Sequence, residues 1–168
     1  GIFHLAAQSS VPLSLKNTNE SSVNNLTSSI KVFDFAKKFS VPIVYASSSA
    51  VYGNLSVGKD NLGKYSITSP YGQDKLTLES YAKMFHEVFG ISSVGLRLFN
   101  VYGKRQNPNS PYSAVIPIFL KKMKKNISVT INGGYQTRDF IYVEDVIKIM
   151  ILSMNKIQKH KKYEIFNV

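Results

Sequence analysis

Two residues of this chain, Tyr71 and Lys75, have the types and the spacing that proton transfer needs. They stand four positions apart and follow Ser69 and Pro70, residues that are favoured at the N-cap and at the first position of a helix. The pattern therefore predicts a helix that presents both side chains on one face. A run of three serines, at 47–49, lies upstream. A phenol, an ammonium and a hydroxyl can together take a proton from an alcohol while a cofactor accepts the hydride.

The electrostatics of this pair favour a basic tyrosine. A neighbouring ammonium stabilises a phenolate, so Lys75 is expected to lower the pKa of Tyr71 from its ordinary value of about 10. A lower pKa brings the phenol nearer to a pH at which it can act as a base. The same spacing also arises by chance, as a buried tyrosine and a solvated lysine at a helix start, so the interpretation depends on the rest of the chain.

Composition bounds the class of protein. The chain has 168 residues, of which 43% are hydrophobic, enough for one domain with a substantial core. No apolar run reaches the roughly 18 residues of a membrane span, so we expect no membrane segment. The absence of cysteine excludes disulfides, thiolate zinc sites and cysteine nucleophiles, and it makes the cytoplasm the expected location. The histidines, His4, His86 and His160, lack metal-ligand spacing, so no metal is expected.

The charge of the chain is strongly basic. It has 21 Lys and Arg against 10 Asp and Glu, a formal net charge of +11. A protein with such a charge can bind nucleic acid, an anionic membrane or small anions. Many lysines cluster near two predicted helix ends, where cations interact favourably with the helix dipole, so we expect solvated helix ends and no nucleic-acid partner. These lysines are Lys121, Lys122, Lys124, Lys125, Lys156, Lys159, Lys161 and Lys162.

Strand-like and helix-like segments alternate along the chain. This order predicts an α/β fold with a parallel sheet and crossover helices, and such sheets bind ligands at the carboxyl ends of their strands. The residues that follow strands, at 6–10, 47–52 and 100–103, are therefore candidate site segments. Strands are predicted at 1–7, 41–47, 91–99, 127–131 and 163–168, and helices at 20–39, 70–89, 113–125 and 143–155.

The opening of the chain differs from that of a complete dinucleotide-binding fold. Such a fold begins with a strand and a Gly-rich turn, and no such turn follows the first predicted strand here. The last predicted strand runs into the final residue. We therefore expect a fragment that lacks the N-terminal Gly-rich loop, at least two βαβ units of about 30 residues in front, and a segment behind.

Five segments resemble, in order, motifs of the extended short-chain dehydrogenase/reductases, and specifically of the NAD-dependent nucleotide-sugar epimerase/dehydratase family. The resemblance extends over essentially the whole chain. Residues 4–7 resemble the family's H-x-A-A/G turn, 45–53 its S-S-x-x-V-Y-G segment, 71–75 its Y-x-x-x-K pair, 97–103 its R-x-F-N-x-Y-G segment and 136–143 its R-D-F-I-Y-V segment.

The resemblance implies a fold, a cofactor and an assembly. The fold would be part of a Rossmann-like, doubly wound parallel sheet with part of a small substrate-binding subdomain. Residues 1–103 would form the C-terminal half of the NAD-binding domain, including the catalytic helix. Residues 104–168 would form part of the substrate-binding region, interleaved with the last Rossmann elements. NAD would be the cofactor, and the helices at 20–39 and 70–89 would join two copies into a homodimer through a four-helix bundle.

The same resemblance implies roles for individual residues. Tyr71 would take the proton of the sugar 4-hydroxyl, Lys75 would lower its pKa and hold the nicotinamide ribose, and Ser48 would hydrogen-bond the same hydroxyl. Arg138 would pair with the substrate diphosphate, unless it forms only a local ion pair with Asp139. The implied cofactor contacts are Leu5, Ala6, Ala7, Ser47, Tyr71, Lys75 and Phe99. The implied substrate contacts are Ser10, Ser48, Ser49, Asn100, Ala114, Val115 and Arg138.

The residues that follow Ser48 separate branches of the resembled family. The 4,6-dehydratases carry an acidic pair there and the decarboxylases a Glu at the second position, but this chain has Ser49 and Ala50. The epimerase-reductases rely on an added Cys, which is absent. The segment at 105–117 is also similar to a loop of bacterial UDP-sugar 4-epimerases. We therefore expect the intact protein to be an isomerase, a 4-epimerase of a UDP-hexose or UDP-N-acetylhexosamine that acts through a 4-keto intermediate with bound NAD.

Some alternatives stay open, and the chain departs from the family pattern in places. It could belong to another NAD-dependent nucleotide-sugar dehydratase or reductase, or be a catalytically inactive dinucleotide-binding fragment. Ser22 stands where the family usually has Asn. Ser9 stands where glucose-type epimerases often carry Lys, which leans toward an N-acetylated sugar. The loop at 133–136 is one residue shorter than the family's G-D-G-x-Q form.

Overall fold

A computed structural model of the chain describes residues 1–61, 63–109, 114–131 and 133–168. The chain forms two units, one of Gly1–Leu98 with Ile149–Val168 and the other of Phe99–Lys148. Helices and strands are numbered along the whole chain. The predicted boundary after residue 103 concerns the domains of the intact protein and stays a prediction.

The first unit is built on a four-stranded parallel sheet. Its strands β1 (Ile2–His4), β2 (Ile43–Ser48), β3 (Ser93–Leu98) and β6 (Tyr163–Asn167) lie in the order β1-β2-β3-β6. Because all of them run in the same direction, their carboxyl ends meet at one edge of the sheet. The predicted α/β class with a parallel sheet is confirmed, and this edge is where the candidate site residues of the unit emerge.

Helix α4 (Pro70–Phe89) is the crossover between β2 and β3, and local signals fix both of its ends. The Ser69 side chain accepts a hydrogen bond of 3.1 Å from the N–H of Gly72, as an N-cap residue does. Gly90 ends the helix in the left-handed conformation, with φ 68°, which glycine adopts without strain. These bounds agree with the helix predicted at 70–89.

The segment predicted as one helix at 20–39 is a series of shorter elements, which are α2 (Thr18–Ser22), a π-helical turn (Val23–Thr27) and α3 (Ser28–Phe39). A separate helix that was not predicted, α1 (Val11–Lys16), precedes them. Asn17 ends α1 and caps α2 with its side chain. Ser28 and Ser29 donate their hydroxyls to backbone carbonyls four residues back, at 2.5 Å. Such side-chain bonds compete with the regular helix ladder, and they lie where the π-helical turn interrupts it.

The hydrophobic core of the first unit lies between the sheet and helices α3 and α4. Phe33 is fully buried, and its ring centroid lies 5.7 Å from that of Tyr45 and 5.2 Å from that of Phe85. Burying a large apolar side chain of this kind contributes about 1.5–3 kcal/mol to stability. The core therefore holds α4 against β2. It comprises Phe33, Ala36, Ile43, Tyr45, Leu78, Ala82, Phe85 and Ile91.

The second unit contains a short parallel pair of strands and helix α5. Strands β4 (Asn100–Tyr102) and β5 (Phe140–Tyr142) pair with each other, α5 covers Val115–Met123, and α6 (Val143–Lys159) begins in this unit. The Tyr102 ring centroid lies 6.4 Å from that of Phe140 and 5.5 Å from that of Tyr142. Aromatic packing therefore supports strands that are too short to form many hydrogen bonds.

Several predictions for this part of the chain need correction. Residues 127–131 have no regular secondary structure, so the predicted strand is wrong, and β4 and β5 were not predicted because three-residue strands show no clear periodicity. The helix predicted at 113–125 is α5, and its predicted start at Ser113 lies outside the described residues. The helix predicted at 143–155 extends to Lys159. Residues 110–113 of the loop at 105–117 also lie outside the described residues.

Candidate active site

The start of α4 buries Tyr71 and Lys75 beside β2. Lys75 Nζ donates a hydrogen bond of 2.8 Å to the carbonyl oxygen of Ala46 and lies 5.8 Å from the centroid of the Tyr71 ring. The backbone N–H of Tyr71 donates to Ser14 Oγ at 3.2 Å, which ties the start of α4 to α1. The two side chains therefore have fixed positions on one face of the helix.

Ser48 ends β2 and faces the same place. Its Oγ accepts a hydrogen bond of 3.1 Å from the N–H of Ala50, and its hydroxyl lies near enough to the phenol of Tyr71 to act on the pKa of that phenol. The close approach of α4 to the turn after β2 depends on Gly72, since a Cβ there would lie 2.7 Å from the Ala50 oxygen. The fold thus brings together the three groups that the sequence singled out, which are the phenol of Tyr71, the ammonium of Lys75 and the hydroxyl of Ser48.

Burial governs the ionisation of Tyr71 and Lys75. It raises the pKa of Tyr71 above its usual value, and the hydrogen bond from Ser48 opposes that rise. Burial lowers the pKa of Lys75 to about 8, while the charge of Asp74 acts in the opposite direction. The expected lowering of the Tyr71 pKa is therefore not the net result, because withdrawal of the phenol from water dominates.

Asp74, which was not predicted, is a buried carboxylate next to Lys75. Its Oδ1 accepts a hydrogen bond of 2.9 Å from Ser22 Oγ. Burial raises the pKa of Asp74, whereas the hydrogen bond from Ser22, the nearby side chain of Asn25 and the charge of Lys75 lower it. Ser22, which departs from the family's usual Asn, thus serves as a donor to this carboxylate. The available sequence signal was an acidic residue inside the Y-x-x-x-K segment.

His4 is a further buried group whose ionisation is affected by Lys75. It ends β1, and its Nε2 lies 2.8 Å from Ser29 Oγ. Burial and the positive charge of Lys75 both lower the pKa of His4. The imidazole is therefore neutral at physiological pH and adds no second positive charge there.

The predicted site residues that follow β1 differ in exposure. Leu5, Ala6 and Ala7 are exposed at the carboxyl edge of the sheet. Ser10 is buried, and its Oγ accepts a hydrogen bond of 3.1 Å from the N–H of Leu13 as the N-cap of α1. The first three residues are open to a ligand, whereas the Ser10 hydroxyl already has a structural partner.

Ser47 and Ser49 flank Ser48 but have different surroundings. Ser47 is 3% exposed and donates its hydroxyl to Glu79 Oε1 at 2.5 Å. Ser49 is half-buried in the 3₁₀ turn (Ser49–Val51) that follows β2. The predicted contact of Ser47 with the cofactor stays a prediction, and its hydroxyl is already engaged by a carboxylate that the sequence did not single out.

The remaining predicted residues, Phe99, Asn100, Ala114, Val115 and Arg138, lie in the second unit. Asn100 Nδ2 donates a hydrogen bond of 2.8 Å to the carbonyl oxygen of Asp139. Arg138 is exposed and donates to the carbonyl of the preceding residue at 2.7 Å. Within the residues that the structure describes, no ion pair joins Arg138 to Asp139, so the local-pair alternative for Arg138 is not observed.

Arg138 lines a cavity of about 710 Å³ in the second unit. A second cation, Lys122, lies in its wall with apolar side chains of α5 and β5. A cavity with two cations and aromatic walls suits an anionic ligand that carries a planar group. Its lining residues are Val115, Ile118, Phe119, Lys122, Thr130, Ile131, Gly134, Gln136, Arg138 and Phe140.

The carboxyl edge of the first unit has the properties that a dinucleotide needs. The small side chains of Ala6 and Ala7 leave the backbone accessible there. Lys75 uses one ammonium proton on Ala46, so two donors are left for ligand hydroxyls. Among the described residues, no three His, Asp or Glu side chains lie close enough together to hold a metal ion. No helix in the described ranges has the length and apolarity to cross a membrane.

Replacing Lys75 with Met should stabilise the protein at neutral pH. Burial lowers the pKa of Lys75 from 10.5 to about 8, so the folded state disfavours the charged form. This costs on the order of 3 kcal/mol, partly offset by the hydrogen bond to Ala46. The advantage of Met is largest below pH 8 and shrinks as pH rises toward 10.5, where the unfolded lysine also loses its proton. Denaturant unfolding at several pH values measures this.

The matched control is Lys83→Met on the same helix, where the lysine side chain is 61% exposed. This substitution should change the free energy of unfolding by no more than about 0.5 kcal/mol at any of these pH values. A Lys75→Met protein that is less stable than the wild type at neutral pH would contradict the account of Lys75.

Comparison with known proteins supplies the family. The sequence profile of the NAD dependent epimerase/dehydratase family matches residues 1–168. A protein of Methanocaldococcus jannaschii named "Putative UDP-glucose 4-epimerase" is 39% identical over 92% of this chain and 52% of its own length. The solved UDP-N-acetylglucosamine 4-epimerase from Methanobrevibacter ruminantium M1, in complex with UDP-N-acetylmuramic acid, is 41% identical, with a TM-score of 0.91 over 99% of this chain and 53% of that one.

A third similar protein is the solved UDP-glucose 4-epimerase of Thermotoga maritima with UDP-glucose. It is 30% identical, with a TM-score of 0.86 over 99% of this chain and 54% of that one. These superpositions confirm the predicted Rossmann-like fold. The chain spans about half the length of the curated relatives it matches, with 52% and 50% of the first two covered. Because the family profile covers its whole length, the chain belongs to the NAD dependent epimerase/dehydratase family, whose description names NAD as the cofactor.

Proposed function

We propose that the protein containing this chain is a UDP-sugar 4-epimerase. One observation carries the proposal: Ser48, Tyr71 and Lys75, from two separate segments, are brought together at the carboxyl edge of the parallel sheet. The relatives support the reaction class, since two of them, at 39% and 41% identity, are named as a putative UDP-glucose 4-epimerase and a UDP-N-acetylglucosamine 4-epimerase. Proteins named UDP-glucuronate 4-epimerases, at 30% identity, belong to the same set.

The three residues divide the work of proton transfer. Tyr71, as the phenolate, accepts the proton of the sugar 4-hydroxyl, and Ser48 orients that hydroxyl. Lys75 stabilises the phenolate form of Tyr71, and its two remaining ammonium protons would be donated to the ribose of the cofactor. With the hydride returned to the opposite face of C4, Tyr71 gives its proton back to the 4-oxygen, which completes the epimerisation.

Bound NAD would supply the two-electron chemistry at C4 of the sugar. The chain contributes the accessible backbone of Ala6 and Ala7 at one wall, and Lys75 as a hydrogen-bond donor. Leu5, Ser47 and Phe99 are the other residues for which we propose a cofactor contact. Burial of Tyr71 and Lys75 keeps water from the group that moves the proton.

The second unit is proposed to hold the nucleotide diphosphate. Arg138 is exposed, is free of an ion pair with Asp139 and lines the cavity that also contains Lys122. A guanidinium matches the geometry of phosphate oxygens. Val115 lines the same cavity at the start of α5. Ser10, Ser49, Asn100 and Ala114 complete the proposed substrate contacts.

The proposed sugar is a UDP-hexose or a UDP-N-acetylhexosamine. Ser9, an exposed residue at the carboxyl edge of the sheet, leaves more room for an N-acetyl group than a lysine would. The relative at 41% identity is named for UDP-N-acetylglucosamine. We therefore place UDP-N-acetylglucosamine first among the substrates to test, followed by UDP-glucose and UDP-glucuronate.

We also propose that the protein forms a homodimer through α3 and α4. The two helices pack side by side on the same core and expose apolar side chains on their outer surface. Phe35, Phe39, Val88 and Phe89 are each about half exposed or more, and such a patch is typical of an interaction surface. Two copies that meet by these helices would form a four-helix bundle.

Tyr71→Phe should abolish epimerisation without weakening the binding of UDP. The variant lacks the proton acceptor but keeps the ring, so kcat should fall by at least about 100-fold. Coupled assays of the three UDP-sugars give kcat, and calorimetry gives the affinity for UDP. Tyr81→Phe, the same change on the same helix, is the control and should keep wild-type kcat. Full activity of Tyr71→Phe would sink the mechanism, and a wild type that turns over none of the sugars would sink the function.

Arg138→Ala should weaken UDP binding about 10- to 100-fold, because a charge-assisted hydrogen bond to phosphate is worth about 1.5–3 kcal/mol. Arg138→Lys should fall between the wild type and Arg138→Ala, since it keeps the charge and loses the planar fork. Lys124→Ala, which removes one positive charge elsewhere in the second unit, is the control. Equal losses in Arg138→Ala and Lys124→Ala would mean a diffuse charge effect and no specific contact.

Val88→Glu should convert the dimer into a monomer. It places a charge in the exposed apolar patch, where Val88 is 64% exposed, and a symmetric interface would contain that charge twice. Val57→Glu, at an equally exposed valine of a loop, is the control and should leave the assembly unchanged. Analytical ultracentrifugation distinguishes the two states. A wild-type protein that sediments as a monomer would refute the proposed dimer.

A further inference from the structure

A buried ion pair between Glu79 and Arg97 connects α4 to the sheet. Arg97 is 1% exposed and Glu79 is 3% exposed. The guanidinium donates two hydrogen bonds to the carboxylate, from Nε to Oε1 at 2.9 Å and from Nη2 to Oε2 at 2.6 Å. Replacing a buried pair of this kind with apolar side chains is often neutral or stabilising, so stability alone does not account for it.

Both members of the pair also hydrogen-bond to side chains of surrounding segments. Ser47, near the end of β2, donates its hydroxyl to Glu79 Oε1 at 2.5 Å. Arg97 donates to the hydroxyls of Tyr52 and Tyr65, at 2.7 and 2.9 Å. Tyr52 directly follows the turn after β2, and Tyr65 lies in the loop that leads from there to the start of α4. The pair therefore joins the helix, the strand end and the connecting loop.

The pair lies directly behind the proposed catalytic residues. Glu79 follows Lys75 by one helical turn, so both side chains lie on the same face of α4. Ser47 precedes Ser48, and Ser47 is in register with Arg97 on the neighbouring strand. The bond between Ser47 and Glu79 therefore holds the end of β2 against α4, beside the Ser48 hydroxyl and the Tyr71 phenol.

We propose that Glu79 and Arg97 are positioning residues, which act through Ser47 to hold the hydroxyl of Ser48 against the phenol of Tyr71. The inference rests on the proposed function for its kinetic consequence, although its structural consequence does not depend on turnover. Glu79 and Arg97 are buried and engaged with each other, so they do not touch the substrate. They decide where the groups that do touch it are placed.

Ser47→Ala tests the link and leaves the ion pair intact. The matched control is Tyr163→Phe, which removes the hydroxyl that donates to the backbone carbonyl of the same Glu79 at 3.1 Å. Each variant loses one hydrogen bond to Glu79, but only the first one releases the strand end that carries Ser48. Ser47→Ala should lower kcat about 10- to 100-fold with KM unchanged, as small misplacements of reacting groups do. Tyr163→Phe should retain kcat within about twofold, even if both variants melt at a lower temperature.

Two further measurements separate this inference from its alternatives. The kinetics are repeated at saturating NAD, and a loss in Ser47→Ala that disappears there would come wholly from the cofactor contact proposed for Ser47 and would overturn the positioning role. Crystal structures of the wild type and of both variants then show whether the distance from Ser48 Oγ to the Tyr71 hydroxyl changes. We expect this distance to increase in Ser47→Ala and to stay as in the wild type in Tyr163→Phe.

The structural result decides the inference even if the wild-type protein turns over no UDP-sugar, in which case the proposed function alone fails. An unchanged distance between Ser48 Oγ and the Tyr71 hydroxyl in Ser47→Ala overturns the inference. Equal losses of kcat in the two variants of an active enzyme also overturn it, because they would reflect general destabilisation.

Discussion

The structure depends on how charged groups are accommodated inside the first unit. Lys75, Asp74, Glu79 and Arg97 are all buried, and a buried charge is costly unless it is paired and hydrogen-bonded. Glu79 and Arg97 satisfy each other with two short hydrogen bonds. Lys75 instead donates to a neutral carbonyl and has the carboxylate of Asp74 nearby, and its lowered pKa shows that this compensation is incomplete.

The incomplete compensation lies where the proposed chemistry needs a cation. A group that is poorly solvated before the reaction interacts strongly with charge that develops beside it, since no water screens the two. In the proposed reaction Tyr71 is a phenolate when it accepts the proton of the sugar, and Lys75 is the cation one turn along its helix. The raised pKa of the resting phenol and the lowered pKa of the ammonium are therefore two consequences of the same burial. Stability is given up at this position for a site that is organised in advance.

Sequence signals predicted some elements well because those elements are determined locally. Helix α4 has a capping serine, a proline at its start and a glycine at its end, so its bounds and the common face of Tyr71 and Lys75 followed from the sequence. The prediction of a strand at 127–131 failed because strand propensity cannot reveal whether a partner strand is present. The direction of the Tyr71 pKa also failed, since charge spacing is visible in a sequence whereas burial is a property of the folded chain.

The difference between local and tertiary information explains why the reaction can be inferred more firmly than the sugar. The proton-transfer residues lie on rigid elements and hold one another in place, so motif and geometry agree on them. The residues proposed to choose the sugar and bind the diphosphate, such as Ser9 and Arg138, are exposed, and a ligand determines their final contacts. A side chain that is fixed by its own protein can be interpreted without the ligand. An exposed side chain acquires its role only with the molecule that binds to it.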